Sequence, residues 1–227
     1  MAETNLMWIT VALMHRLIAV SSGVATPIAT KSGLTGHFKA AQPSVRIGTF
    51  GVAGDEIVDK QNHGGPEQAI YLLGEADRAW WEADLGKPVP PGFMGENLLI
   101  DGMASCDLAL GDILELGEVR LQITAPRVPC VTFAARVGDP QAIRRFATSR
   151  HPGAYARVLR GGDLIPGQTI RHLPYGGDRI SVTAHLDAYL AGLTDPAYLR
   201  RLLTVPAHAA LHRIAQERLA QDVSGPI

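Results

Sequence analysis

Val119-Arg120-Leu121-Gln122-Ile123-Thr124-Ala125-Pro126-Arg127-Val128-Pro129-Cys130 is the stretch on which the fold class turns. Its first half alternates: Val119, Leu121 and Ile123 are apolar while Arg120, Gln122 and Thr124 are polar, the period of a strand with one buried face. The run Ile113 to Leu116 pairs with it through a turn at Gly117-Glu118. Its second half cannot continue as regular structure. Pro126 and Pro129 each fix φ near about −65° and extend the residue before them, so the strand ends in a stiff turn that presents Cys130. Arg127, always charged, would favour a thiolate there or hold an anionic ligand. Two readings of the thiol stay open at this point, a buried structural cysteine or a functional one.

Outward from this stretch, Leu17 to about Leu173 consists of short apolar runs punctuated by Gly and Pro, the text of a β-rich domain with many turns. Strands are predicted at Leu17 to Val24, Ser44 to Thr49 and Ala69 to Leu73. Two helices interrupt them. Glu75 to Leu85 has helix formers and the large apolar area of Trp80 and Trp81; Asp139 to Ser149 opens with an N-cap candidate and has Pro140 at its first helical position. After Pro174-Tyr175-Gly176-Gly177 the pattern changes to three amphipathic helices, Val182 to Leu190, Asp195 to Leu203 and Pro206 to Leu219. Ser181, Thr194 or Asp195, and Thr204 are their cap candidates. Helices this short are marginal alone, so they should pack as a bundle on the β domain. The organisation read is a weakly ordered extension at 1–14, a mainly β domain at 15–174 and a helical appendage at 175–227.

Composition narrows the function classes. The chain has 227 residues, of which 46% are hydrophobic, with 21 basic against 22 acidic side chains. That balance gives no electrostatic case for nucleic acid or an anionic membrane as partner. Two cysteines make no disulfide framework and no Cys-x-x-Cys zinc spacing, so a reducing, cytoplasmic setting is expected. The apolar run Leu6 to Met14 stops at His15-Arg16, well short of the roughly 20 residues of a membrane span. It also lacks the preceding positive charge and the following cleavage site of a secretory signal, and Met14 is an alternative initiator.

Further elements offer chemistry. Val52-Ala53-Gly54-Asp55-Glu56, with Lys60, leads to His63-Gly64-Gly65-Pro66-Glu67. Paired glycines permit positive φ and close approach to a ligand, and amides exposed in such a turn hold an anion; His63 is a ligand contact, a proton donor or merely a cap for its own turn. In Gly92-Phe93-Met94-Gly95-Glu96-Asn97-Leu98, the Asn97 amide could bond a heterocycle edge or stabilise its own loop. Leu110-Gly111-Asp112 reads as a structural hairpin entry. Other constellations are poorer. His63 and His151 are available as bases for Cys130, but no Gly-x-Ser-x-Gly elbow accompanies them. Gly161-Gly162-Asp163 lacks the spacing of a dinucleotide or phosphate loop, His208 and His212 have metal-pair spacing without a zincin glutamate, and Cys106 has no flanking cation.

Taken in order, Gly54-Asp55, His63-Gly64-Gly65-Pro66, Gly95-Glu96-Asn97-Leu98, Gly111-Asp112 and Pro126-Arg127-x-Pro129-Cys130 resemble the MOSC family, the domain at the carboxyl end of molybdenum-cofactor sulfurases. The helical tail, with Arg179-Ile180-Ser181-Val182-Thr183 and Leu199-Arg200-Arg201-Leu202-Leu203, is similar to the three-helix appendage of the stand-alone bacterial YiiM-like branch. The resemblance implies a closed mixed β-barrel with a few inserted helices and a small C-terminal three-helix appendage. It further implies a molybdenum cofactor (molybdopterin), with Cys130 as the metal ligand and catalytic centre. Arg127 would be an anion contact, Lys39 of Thr35-Gly36-His37-Phe38-Lys39 would meet the cofactor phosphate, and His63, Gly64, Gly65 and Asn97 would line the pocket. Thr132 stands where relatives often carry a lysine. The activity implied is reduction of N-hydroxylated bases, small-molecule substrates, with electrons from a separate reductase; a homodimer fits this reading. The alternative is a carrier holding a persulfide on Cys130 for delivery. A soft thiolate suits molybdenum, and the metal would supply two-electron chemistry that no side chain here provides.

Overall fold

A computed structural model describes residues 12–223 of the chain. Seven strands form a closed ring: β1 (Leu13–Ser22), β2 (Ile70–Gly74), β3 (Leu98–Asp101), β4 (Ile113–Leu116), β5 (Val119–Pro126), β6 (Ala154–Arg160) and β7 (Thr169–Leu173). Around the barrel the order is β7-β4-β5-β6-β2-β3-β1, and β1 returns to β7 through pairs such as Leu13 with His172. Only β2 and β3 run parallel within this ring, because α1 (Glu75–Leu85) crosses over between them. The barrel is therefore mixed, as expected.

The alternation in β5 behaves as its residues dictate. Val119, Leu121 and Ile123 are fully buried in the barrel with Leu114, Leu116, Ile70, Leu72, Leu98 and Ile100, while Arg120 stays exposed. From Thr124 onward every residue of β5 is buried, since a second layer covers the outer face. That layer is made by α1, α2 (Val131–Val137) and α3 (Ala142–Ser149), which bury Trp81, Phe133, Phe146 and Met94 against the barrel wall. Trp81 packs edge-on to Phe133 at 5.3 Å, and its indole N–H is satisfied by the His151 carbonyl.

Four local expectations change, the last of them in the tail. One inserted helix was expected after the cysteine turn, at Asp139 to Ser149, and there are two: α2 starts directly after Cys130 and ends on Gly138, φ 79°. β-branched Val131, Thr132 and Val137 weaken the helical signal of that segment. Asp139 accepts from the Gln141 amide in the turn before α3 and does not N-cap the helix directly. β1 begins at Leu13, so the last two residues assigned to the extension are part of the barrel, and residues 1–11 lie outside the described residues.

The tail forms α4 (Val182–Leu190), α5 (Pro196–Leu202) and α6 (Ala209–Val223). Ser181 and Asp195 cap the first two as predicted. Thr204 does not cap α6: its hydroxyl donates back to the Arg201 carbonyl, and His208 Nδ1 takes the Ala210 amide instead. The tail shares the barrel core, with Ile180, Val182, Leu199, Leu202 and Val205 buried among the strands.

Gly111-Asp112 is the fastening. Asp112, fully buried, accepts from the amides of Ala109 and Tyr175, from His172 Nε2 at 2.8 Å and from Arg179 at 2.9 Å. A Cβ on Gly111 would lie 2.7 Å from the ring of Pro206, so only glycine allows the tail this close. His208 N also donates to the Thr124 carbonyl of β5, and Ala209 N to Glu67.

Candidate functional site

Where β5 leaves the barrel, an open cleft of about 600 Å³ is lined on one side by Thr30 to Lys39 and on the other by Glu56 to Gly64. Its floor is Tyr71, Asn97, Arg127, Tyr155 and the Cys130-Val131-Thr132 turn. The cysteine turn, the glycine-histidine turn and the Gly-Glu-Asn loop thus converge, although they are far apart in sequence.

Asp55 holds the walls together. Its Oδ1 accepts from the Gly23 amide at 2.8 Å, and its Oδ2 accepts from Asn97 Nδ2 at 3.0 Å and pairs with Lys39 Nζ. Gly36 lies so close to the next loop that a Cβ would fall 1.6 Å from the Glu56 carbonyl oxygen. Lys39, expected to meet a cofactor phosphate, is already paired with Asp55, and burial lowers its pKa.

Cys130 is partly buried and stands at the N-cap position of α2, its side chain making no capping hydrogen bond. Burial alone would raise its thiol. The His63 side chain, the Arg127 guanidinium and the Phe133 amide outweigh that and bring the thiol from 9.0 down to about 6. At neutral pH it is a thiolate. Arg127 is 3% exposed, lying under the cleft and away from its mouth. It donates to the Met94 carbonyl and, through Nη2, to His37 Nε2 at 2.8 Å and to Cys130 Sγ at 3.8 Å. Tyr71, Phe133 and Phe146 surround it, the Tyr71 ring centre 4.9 Å away. A guanidinium only donates, so His37 must accept at Nε2 and carry its proton on Nδ1. Burial, with Arg127, Arg136 and Lys39 close by, lowers the His37 pKa well below its ordinary value and keeps the ring neutral.

Most of the predicted residues meet. Cys130, Arg127, Lys39, His63, Gly64, Asn97 and Thr132 all line the cleft. Gly65 does not: it is exposed and begins the short turn Pro66–Gln68. Asn97 is fully engaged as a strand-to-loop brace, accepting from the Tyr71 amide and donating both N–H groups, to the Ser21 carbonyl and to Asp55. Of its two readings, the structural one accounts for every N–H. His151 is elsewhere, bonded to buried Asp77 and stacked on Trp80, so it is no base for Cys130.

Sequence reasoning passed over His37, Tyr71, Tyr155 and Glu96. His37 stood inside the quoted Thr35-to-Lys39 stretch as a polar residue beside a strand; the tyrosines lie in apolar runs and carry no such signal. Glu96 is 1% exposed. Its Oε1 accepts from the Gly92 amide, its Oε2 has no partner, and burial pushes its pKa up to about 7 against the pull of Arg127 and Lys39. Among the described residues no cluster of His, Cys, Asp or Glu would by itself hold a metal ion, and no helix is long and apolar enough to cross a membrane.

This fold agrees with what other proteins show. The MOSC domain model matches residues 59–171, and the chain belongs to that family, whose name comes from the C-terminal domain of molybdenum-cofactor sulfurases. YflK of Bacillus subtilis, itself uncharacterised, is 31% identical over 63% of this chain and 65% of its own. A protein named reductase from Gibberella moniliformis is 35% identical over 55% of this chain and 23% of its own, and YiiM of Escherichia coli is 36% identical over 36% and 38%. The chain thus spans less than two thirds of each of these relatives. The crystal structure of YiiM from Geobacillus stearothermophilus superposes with a TM-score of 0.75 at 24% identity, over 91% of this chain and all of that one. That of Escherichia coli YiiM gives 0.73 at 19%, over 92% and 94%. These superpositions place the tail within the shared fold.

Proposed function

We propose that this chain is a molybdenum-cofactor-dependent oxidoreductase that reduces N-hydroxylated compounds, N-hydroxylated bases among them, with Cys130 as the molybdenum ligand. The observation that carries it is a thiolate held at the floor of an open cleft by His63 and Arg127. The site fits the group in two ways: a soft, deprotonated sulfur is the donor molybdenum favours, and the cations Lys31, Lys39 and Arg127 line the cleft, where they would meet an anionic pterin phosphate. When bound, the cofactor would supply the two-electron exchange that turns an N-hydroxylamine, two electrons and two protons into an amine and water.

The chain's own residues do the rest. Arg127 orients His37 and, with His63, holds the thiolate ionised; Lys39, Gly64 and Thr132 line the space a cofactor would occupy. Electrons would come from a separate reductase, in the cytoplasm, and a homodimer is compatible with this reading. The relative named reductase supports the reaction class. Metal analysis of protein from a cofactor-making host tests it: about one molybdenum per chain in the wild type and none in Cys130→Ala is the expected result, and full turnover by metal-free protein would overturn it. The same low-pKa thiolate also suits a persulfide carrier. Mass spectrometry separates the two, since a labile extra sulfur on Cys130 without metal favours delivery.

A further inference from the structure

Beneath the cleft floor lies a carboxylate that the proposed chemistry does not use. Glu96 is fully buried, and its Oε2 has no hydrogen-bond partner although Arg127, Lys39 and Arg136 all act on it. Arg136 is held in place by stacking over Phe38 at 4.2 Å and Phe93 at 4.6 Å. Three cations face three groups able to be negative: Asp55, Cys130 and Glu96. With all ionised these six charges balance, so an anionic ligand settling against Arg127 and Lys39 adds a negative charge to cations already offset by Cys130, Asp55 and Glu96, which is costly where the groups are buried.

We propose that Glu96 is the charge-compensating residue of this site: it takes up one proton from water when an anionic ligand settles in the cleft, and returns it when the ligand leaves. This rests on the cofactor reading above. The other groups facing the space are committed. Asp55 has both oxygens engaged, by Gly23, Asn97 and Lys39. Cys130 is the ligand. His37 cannot accept a proton while its Nε2 takes the Arg127 N–H, and the Tyr71 and Tyr155 hydroxyls, their pKa values raised by burial, are neutral already. Glu56 and Asp59 stand on the exposed wall, where water screens their charge, which leaves His63, at the mouth and partly exposed, as the rival. Glu96 is the carboxylate for which neutralisation costs least, because half of it forfeits no bond, and its elevated pKa supports this.

Infrared difference spectra between protein from cofactor-making and cofactor-deficient hosts, at about pH 8, provide the test. A carboxylic-acid carbonyl band should be gained by the loaded protein, move when glutamate is isotope-labelled, and vanish in Glu96→Gln; the Glu96 titration should rise by about one pH unit or more on loading. Labelling the wild type keeps the test intact if the variant folds poorly. Loaded protein with about one molybdenum per chain but no such band, a band that survives in Glu96→Gln, or protonation of His63 in its place would each overturn the proposal. Wild type lacking molybdenum would instead overturn the functional reading and remove the anion this proposal needs.

Discussion

One buried nitrogen, Nη2 of Arg127, lies 2.8 Å from Nε2 of His37 and 3.8 Å from Sγ of Cys130. The same guanidinium therefore sets the tautomer of the imidazole and the ionisation of the thiol. Its shell of aromatic rings excludes water and leaves its charge little screened. Arg127→Met should raise the Cys130 titration from about 6 toward the ordinary thiol value. Alkylation of the cofactor-free protein at neutral pH should slow by about tenfold or more, and a profile unchanged from wild type would contradict this account.

His63 acts on the same sulfur from the other side, and it does so from a loop. His63→Ala should also shift the alkylation profile upward, yet at about pH 5, where the thiol is protonated with or without the imidazole, leave the unfolding free energy within about 0.5 kcal/mol of wild type, because the side chain is only partly buried. Arg127→Met should fail that second criterion by several kcal/mol, since it strips the Met94 carbonyl and His37 of a buried donor.

Two buried acids give stability opposite pH dependences. The Glu96 pKa is raised from 4.5 to about 7, so the native state binds a proton there that the unfolded chain has lost. Its contribution favours low pH and is lost as pH rises through about 7. The Cys130 pKa is lowered from 9.0 to about 6; its contribution is complete above 9.0 and lost as pH falls through about 6. Glu96→Gln should accordingly gain up to about 3 kcal/mol on wild type between about pH 5 and pH 8 in urea unfolding.

Asp112→Ala leaves His172 buried without its partner and frees Arg179 and the Tyr175 amide. A loss of about 3–5 kcal/mol is expected, with faster hydrogen exchange in α4 and α5 than in the barrel. Uniform loosening of both would show that Asp112 is not the join.

Gly36→Ala drives a methyl into the Glu56 carbonyl. It should cost about 1–3 kcal/mol and reduce molybdenum content, because the two cleft walls must part to admit the side chain.

Much of this was legible before any coordinates. The period-2 pattern of β5, the limits of α1 and α4 and the style change near residue 174 follow from alternation, helix formers and caps, all local signals. The cysteine turn was readable because proline restricts backbone wherever it stands. What was not legible depends on distant partners. Nothing around Asn97 says that Ser21, Tyr71 and Asp55 will consume its amide. Arg127 was readable as a cation beside the thiol, but only the arrival of α2 and α3 over it makes it a buried one. Helix α2 escaped because β-branched residues and a glycine obscure a short helix that packing stabilises. Gly111-Asp112, read correctly as structural, proved to fasten the tail and not merely to enter a hairpin.

The tail's attachment has a thermodynamic corollary. His208 bonds the strand that delivers Cys130, and Ala209 bonds Glu67, which follows the His63 turn. Tail and cleft are thus halves of one linked equilibrium. Any molecule that grips the tail and alters the cleft's affinity for its ligand by some factor will find its own affinity altered by that same factor when the cleft is filled.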